Sequence, residues 1–199
     1  MNLIAALMFL FSSLVNLTLA SVSPSDDAID FSLKNEKGKL VKLSDYKGKV
    51  VVLEWLNHGC PFVKKHYGAK NMQKLQSKYT KKGIVWLSII SSAPGNQGYV
   101  DTDGASRDKK EKGSNATNIL LDSKGEVGKK YGAKTTPHMY VIDKNFKIAY
   151  VGAIDSVPSA DPADIGEADN YVSMALESIL KGEKVKVAKT KPYGCSVKY

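Results

Sequence analysis

The most constraining stretch of this chain is Lys49–Val63, "KVVVLEWLNHGCPFV". Its first part, "KVVVLEWL", is a continuous apolar run rich in β-branched residues, which predicts a central strand buried on both faces. Such a strand needs a layer above and a layer below it, so the run argues for an α/β domain. The run gives way to "NHG" and then to Cys60 and Pro61. Proline suits the first position of a helix. Phe62, Val63, Tyr67, Met72, Leu75 and Tyr79 recur at near-helical spacing, and Gly83 follows the end. The pattern predicts one helix over 61–81 with a cysteine at its amino terminus.

The rest of the chain fits around this unit. "IDFSLKNEKGKLVKLSDYKGK" alternates short apolar runs with Gly, Lys and Asn, which predicts a hairpin. "GIVWLSIISS" reads as the next buried strand, "APGNQG" as a loop and residues 99–112 as a polar helix. "ATNILLD" reads as a strand, "KGEVGKKYGA" as a short helix, and "HMYVID" and "IAYVGAI" as two strands joined by a turn. An acidic, Pro-rich insertion at 155–169 precedes the amphipathic helix "NYVSMALESILKG". The order predicts a mixed central sheet with helices on both faces and an N-terminal β-hairpin.

Residues 1–20 carry no side-chain charge and end in Thr18-Leu19-Ala20, which predicts a cleaved secretory signal. An uncleaved anchor is the alternative, but Ser12, Ser13, Asn16 and Thr18 make a poor hydrocarbon span. Residues 21–28 follow as a mobile leader, 29–182 as the folded domain and 183–199 as a basic tail. The protein is therefore expected to be exported, periplasmic or extracellular, with no stable membrane association after cleavage. In an oxidising compartment two cysteines, Cys60 and Cys195, can pair. The net charge of +9 comes from scattered lysines, and Arg107 is the only arginine. Nucleic-acid sites lean on arginine forks and interleaved aromatics, so no nucleic-acid partner is expected.

Cys60 is the chemical centre of this reading. A thiol at a helix amino terminus faces unpaired N–H groups and the positive end of the helix dipole, and both favour thiolate. Lys64, four residues on, would add positive charge from the same helix face. Strand-end loops before helices are where α/β sheets expose their sites.

"GKVVVLEWLNHGCPFV" resembles the active-site segment of the thioredoxin superfamily, and "TTPHMYVID" resembles that family's cis-proline loop. From about Asp30 to Lys181 the chain is similar to the redoxin branch, which includes the AhpC/TSA peroxiredoxins. "CPFV" and the tail "PYGCSVKY" resemble one peroxiredoxin-like group within it. The resemblance implies a thioredoxin-like fold with Cys60 as nucleophile, Pro137 as the cis-proline and Thr136 as the residue whose backbone pairs with substrate. It also implies that Glu54 is a buried acid managing protons, consistent with the raised pKa that burial would give it. Two features depart from the pattern. Val63 occupies the seat of the second cysteine, and Asn57 stands where peroxiredoxins carry a threonine, with no arginine in any matching segment.

Three readings of Cys195 stay open: a resolving thiol for Cys60, a permanent staple, or an unpaired thiol. The resolving role is preferred, because a staple would silence the one reactive-looking cysteine. The expected partners are then a peroxide or disulfide substrate and an external thiol reductant, with no cofactor and no metal. Oligomeric state is left open. Two rival functions stand beside this one. The first is a non-catalytic binding module. The second is a Cu(I)-handling protein using Cys60 with His58, His138 or Met139, although Lys64 replaces the second cysteine such a site would need.

Overall fold

The computed structural model describes residues 21–199, so the expected signal at 1–20 lies outside the described residues. The hairpin is β1 (Ser32–Asn35) and β2 (Leu40–Lys42). The unit around Cys60 is β3 (Val51–Trp55), α1 (Pro61–Gly68), α2 (Asn71–Thr80) and β4 (Val85–Ile90). After it come α3 (Thr102–Glu111), β5 (Asn118–Leu121), α4 (Glu126–Tyr131) and β6 (Thr135–Thr136). The chain closes with β7 (His138–Ile142), β8 (Ile148–Gly152), α5 (Tyr171–Leu180) and β9 (Cys195–Ser196).

Seven strands form one sheet in the order β2-β1-β5-β4-β3-β7-β8. β3 runs parallel to β4 and antiparallel to β7, so the sheet is mixed as expected. Every residue of β3 is buried. Successive side chains of a strand point to opposite faces, and β3 shows the result. Val51, Leu53 and Trp55 pack with Val127 and Tyr131 of α4, whereas Val50 and Val52 pack with Val63, Tyr67, Met72, Leu75 and Val172 of α1, α2 and α5.

The single helix expected over 61–81 is broken in two. Lys70 takes a left-handed conformation (φ 60°) between α1 and α2, a turn that ends the α-helical hydrogen-bond ladder. The Tyr67 carbonyl at this break accepts from the Lys70 N–H and from Gln73 Nε2 at 2.9 Å. The break re-aims the chain so that Val63 and Tyr67 of α1 and Met72, Leu75 and Tyr79 of α2 share one core. Its trace in the sequence is the five-residue step from Tyr67 to Met72.

The expected mobile leader is instead packed. Ser25 N–H donates to the Ile148 carbonyl at 2.8 Å, Ala28 N–H donates to Phe146 at 2.8 Å, and Val22 and Ala28 are buried. The basic tail is likewise folded onto the domain. It first runs parallel to β8, with Val151 N–H donating to Ala188 and Thr190 N–H to Val151. It then crosses to β6, where Thr135 pairs with Ser196 and Thr136 with Cys195. Ala93 N–H donates to the Lys198 carbonyl, and Tyr199 Oη donates to the Ala133 carbonyl. The physical reason is that β8 and β6 present strand edges with free backbone groups, and the tail satisfies them.

Candidate active site

The site is built where β3, α1, the β6–β7 connection and the tail converge. β3 ends in a turn shaped by Asn57, whose Oδ1 accepts from Gly59 N–H at 2.8 Å and whose Nδ2 donates to the Gln97 carbonyl at 3.1 Å. Gly98 has φ +84° and packs directly on this side chain, so any Cβ there would collide with Asn57. The Asn57 side chain is thus committed on both ends to holding the turn against the 93–98 loop.

Cys60 follows as the residue capping α1, with Pro61 at the first helical position. Its side chain is wholly buried (0 % exposed). Cys60 Sγ lies 3.0 Å from the Thr136 carbonyl oxygen and 2.8 Å from Cys195 Sγ, and both cysteines are free thiols. The Thr136–Pro137 peptide is cis. Thr136 Oγ1 is buried and has no other hydrogen-bond partner among the described residues, so its one donor is free to serve the Cys60 sulfur when that ionises.

The two thiols are shifted in opposite directions. Burial by itself pushes the Cys60 thiol up. Hydrogen bonds from Cys195, from the Val63 and Cys195 backbone N–H groups and from Thr136 outweigh it and bring the thiol below its ordinary range. Cys195 is pushed up to about 11, by burial and by the neighbouring Cys60. When the pair gives up one proton, Cys60 is therefore the sulfur that ionises and Cys195 the one that stays protonated.

Lys64 takes no part in this. It is exposed, and the groups that lower the Cys60 thiol do not include it. The expectation that Lys64 supplies positive charge to Cys60 is corrected: the side chain points to solvent while the thiol faces inward. The groups that lower the thiol are instead hydrogen-bond donors.

Glu54 is buried at the centre of β3 (0 % exposed), in register with Ser88 on β4 and Met139 on β7. Trp86 Nε1 and Ser88 Oγ each donate to Oε2 at 2.8 Å, Gln76 Nε2 donates to Oε2 at 3.2 Å, and Tyr67 Oη donates to Oε1 at 3.0 Å. Burial raises its pKa, with the four donors acting against that rise. None of these donors is a thiol, so no direct hydrogen bond links Glu54 to Cys60 among the described residues.

The three histidines are all buried or nearly so, and burial holds each one neutral. His58 is lowered to about 4 and stacks edge-on against Tyr67, with Nε2 unpaired. His66 is lowered to about 4, and its ring bonds Asn71 through Nδ1 at 2.9 Å. His138 is lowered to about 3, and its Nδ1 accepts from Lys134 N–H at 3.3 Å. Among the described residues, no group of three or more His, Cys, Asp or Glu side chains is gathered as a metal site. No described helix is long and apolar enough to cross a membrane.

The reading of the sequence missed several residues that shape the site. Trp86, Ser88, Tyr67 and Gln76 surround Glu54, and Tyr193 of the tail bonds Asp155. The signal for the first set was Ser88, a polar residue inside the otherwise apolar "VWLSII", one strand away from Glu54.

The AhpC/TSA family matches residues 24–151, more than half of the chain. The chain is 27 % identical over 122 residues to the thiol-disulfide oxidoreductase ResA of Bacillus thuringiensis, covering 61 % of this chain and 65 % of that protein. It therefore spans less than two thirds of that relative's length. Among solved structures it is similar to an uncharacterized conserved protein from Geobacillus kaustophilus, with a TM-score of 0.75 and 29 % identity, covering 88 % of this chain and 92 % of that one. The thioredoxin domain of a thiol-disulfide oxidoreductase from Bacteroides vulgatus shares the fold, with a TM-score of 0.53 and 21 % identity over 74 % of this chain and 97 % of that one. On the extent of the family match and the likeness of fold, the chain belongs to the AhpC/TSA family and adopts a thioredoxin-like fold.

Proposed function

We propose that this protein is an exported thiol oxidoreductase that reduces disulfides through Cys60, with Cys195 as the resolving thiol. The observation that carries this reading is the opposed pair of sulfurs, 2.8 Å apart, one favoured as thiolate and the other as thiol. In the cycle, Cys60 thiolate attacks one sulfur of a substrate disulfide. The S–S bond breaks, and the leaving thiolate takes a proton. Cys60 now carries no charge, so its effect on Cys195 disappears and the second thiol ionises more easily. Cys195 thiolate then attacks Cys60 Sγ and expels the remaining substrate sulfur as a thiolate. The substrate gains two electrons, and the Cys60–Cys195 disulfide is returned to two thiols by an external dithiol.

Thr136 and cis-Pro137 form one wall of the site, and the Thr136 hydroxyl steadies the thiolate. Glu54 serves as the buried acid of the domain, and Asn57 holds the turn that aims Cys60. Disulfide exchange is favoured over peroxide reduction for two reasons. The Asn57 side chain is already engaged at both ends, and the single arginine, Arg107, is exposed on α3. Neither is free to bind a peroxide beside the thiolate. The uncharged segment at 1–20 supports export, into a compartment where such chemistry has substrates.

The test is to expose fully reduced protein to one equivalent of oxidised glutathione or of hydrogen peroxide, quench it, and map the thiols by mass. The expected result is a Cys60–Cys195 disulfide formed faster with glutathione disulfide, and a Cys60 mixed disulfide trapped in Cys195→Ser. Cysteines that stay reduced with both oxidants would overturn the reading.

A further inference from the structure

The tail reaches Cys60 by a path that backbone pairing alone does not explain. Two residues before Cys195, Tyr193 lies edge-on against Phe62, the second residue of α1, with ring centroids 5.8 Å apart and planes at 62°. Its hydroxyl donates to Asp155 Oδ1. Asp155 is buried, receives Val157 N–H on the same oxygen at 3.2 Å, and turns Oδ2 towards His66 Nε2 at 3.7 Å. His66 is itself wholly buried and fixed by Asn71. Phe62 and His66 both belong to α1, the helix whose amino end is Cys60. The nucleophile and the seat for Tyr193 are therefore carried by one rigid element.

Between Tyr193 and Cys195 the chain must turn sharply. Gly194 has φ +128°, and a Cβ at that position would collide with the Thr136 carbonyl oxygen. Only glycine lets the tail press this closely on Thr136 and deliver the next side chain to Cys60. Tyr193, Gly194 and Cys195 thus act together as an anchor, a pivot and a thiol. A carboxylate buried as deeply as Asp155 loses a charge-assisted hydrogen bond if the tail departs, which opposes release.

We propose that Tyr193 is a positioning residue that seats Cys195 on Cys60, acting through Asp155 and His66. This rests on the reading of Cys195 as the partner thiol of Cys60, and it adds the device that sets how often the two meet. The tail becomes a strap whose occupancy over Cys60 is governed at Tyr193, and opening of the strap is the step that admits substrate to a thiol otherwise closed to solvent.

The test separates positioning from reactivity. In a Cys195→Ser background, where no disulfide can form, alkylation of Cys60 by iodoacetamide reports tail occupancy alone. Tyr193→Phe keeps the ring on Phe62 and removes the bond to Asp155, so Cys60 labelling should accelerate about tenfold, the factor expected for one charge-assisted hydrogen bond. Tyr193→Ala removes the ring contact as well and should accelerate labelling roughly a hundredfold. Amide exchange in β3 and β4 should stay unchanged in both variants. Unchanged labelling in both would overturn the proposal. So would acceleration accompanied by lost protection in β3 and β4, because that would make Tyr193 a contributor to general stability. If labelling responds as expected but the parent forms no Cys60–Cys195 disulfide under oxidant, the positioning role stands and the resolving role of Cys195 falls.

Discussion

Glu54 and Cys60 stand six residues apart, on either side of the turn that ends β3, and both are closed to solvent. Their surroundings differ in a way that explains their roles. Glu54 is enclosed by the scaffold itself, with donors from α1, α2 and β4 on both carboxylate oxygens. Cys60 is instead covered by the tail segment: remove residues 191–199 and its nearest neighbour, Cys195, is gone. A polar group sealed by core elements opens only when the domain unfolds, whereas one sealed by a strap paired at strand edges can open locally at much lower cost. The first arrangement suits a fixed proton site and the second suits a thiol that must meet a partner.

The comparison breaks most sharply at the nucleophile. Cys60→Ser should abolish disulfide reduction to the uncatalysed background with little change in stability, as read by a turnover assay beside a denaturation curve. Glu54→Leu should do the opposite. It leaves several buried donors without an acceptor and should cost about 3–5 kcal/mol, measured as a fall in the denaturant midpoint. If Glu54→Leu were tolerated, the carboxylate would not be part of the scaffold.

The pH dependence of stability sharpens the contrast. Glu54 has a folded pKa raised above its unfolded value, so its contribution is complete below about 4.5 and is lost as pH rises through the folded value. Glu54→Gln should remove that loss on the neutral side. His58, His66 and His138 behave in reverse, because burial lowers them to about 4, 4 and 3. Their contribution is complete above their unfolded value of about 6.5 and fades as pH falls towards those lowered values. Each histidine should add a slope of at most about 1.4 kcal/mol per pH unit below pH 6.5. Denaturation midpoints at pH 7 and pH 5, for parent and Glu54→Gln, read both effects.

Much of this division could be read from the sequence, because its signals are local. The run through Val51–Trp55 announced a doubly buried strand, Pro61 marked the start of α1, and the apolar surroundings of Glu54 predicted its burial. What escaped was non-local. The tail is lysine-rich and carries Gly194, so by composition it resembles a loose end. Nothing in its periodicity shows that β6 and β8 offer it strand edges, or that Asp155 and Phe62 hold Tyr193. Lys64 shows the same limit in miniature. Its four-residue offset from Cys60 suggests proximity, but the Cys60 side chain is buried while Lys64 faces outward. Accordingly, Lys64→Ala should change the alkylation rate of Cys60 by less than about twofold, the smallest effect expected here.

The central claim is that Cys195 lowers the Cys60 thiol by donating to it. The direct measurement is the ionisation of Cys60, followed by thiolate absorbance across pH in the reduced protein, with Cys60→Ser as the blank and Cys195→Ala as the comparison. Cys60 should titrate below the ordinary cysteine value of 9.0 in the parent and move up in Cys195→Ala, where no side-chain donor stands at position 195. A Cys60 that titrates at or above 9.0 in the parent, or that is indifferent to Cys195→Ala, would contradict this.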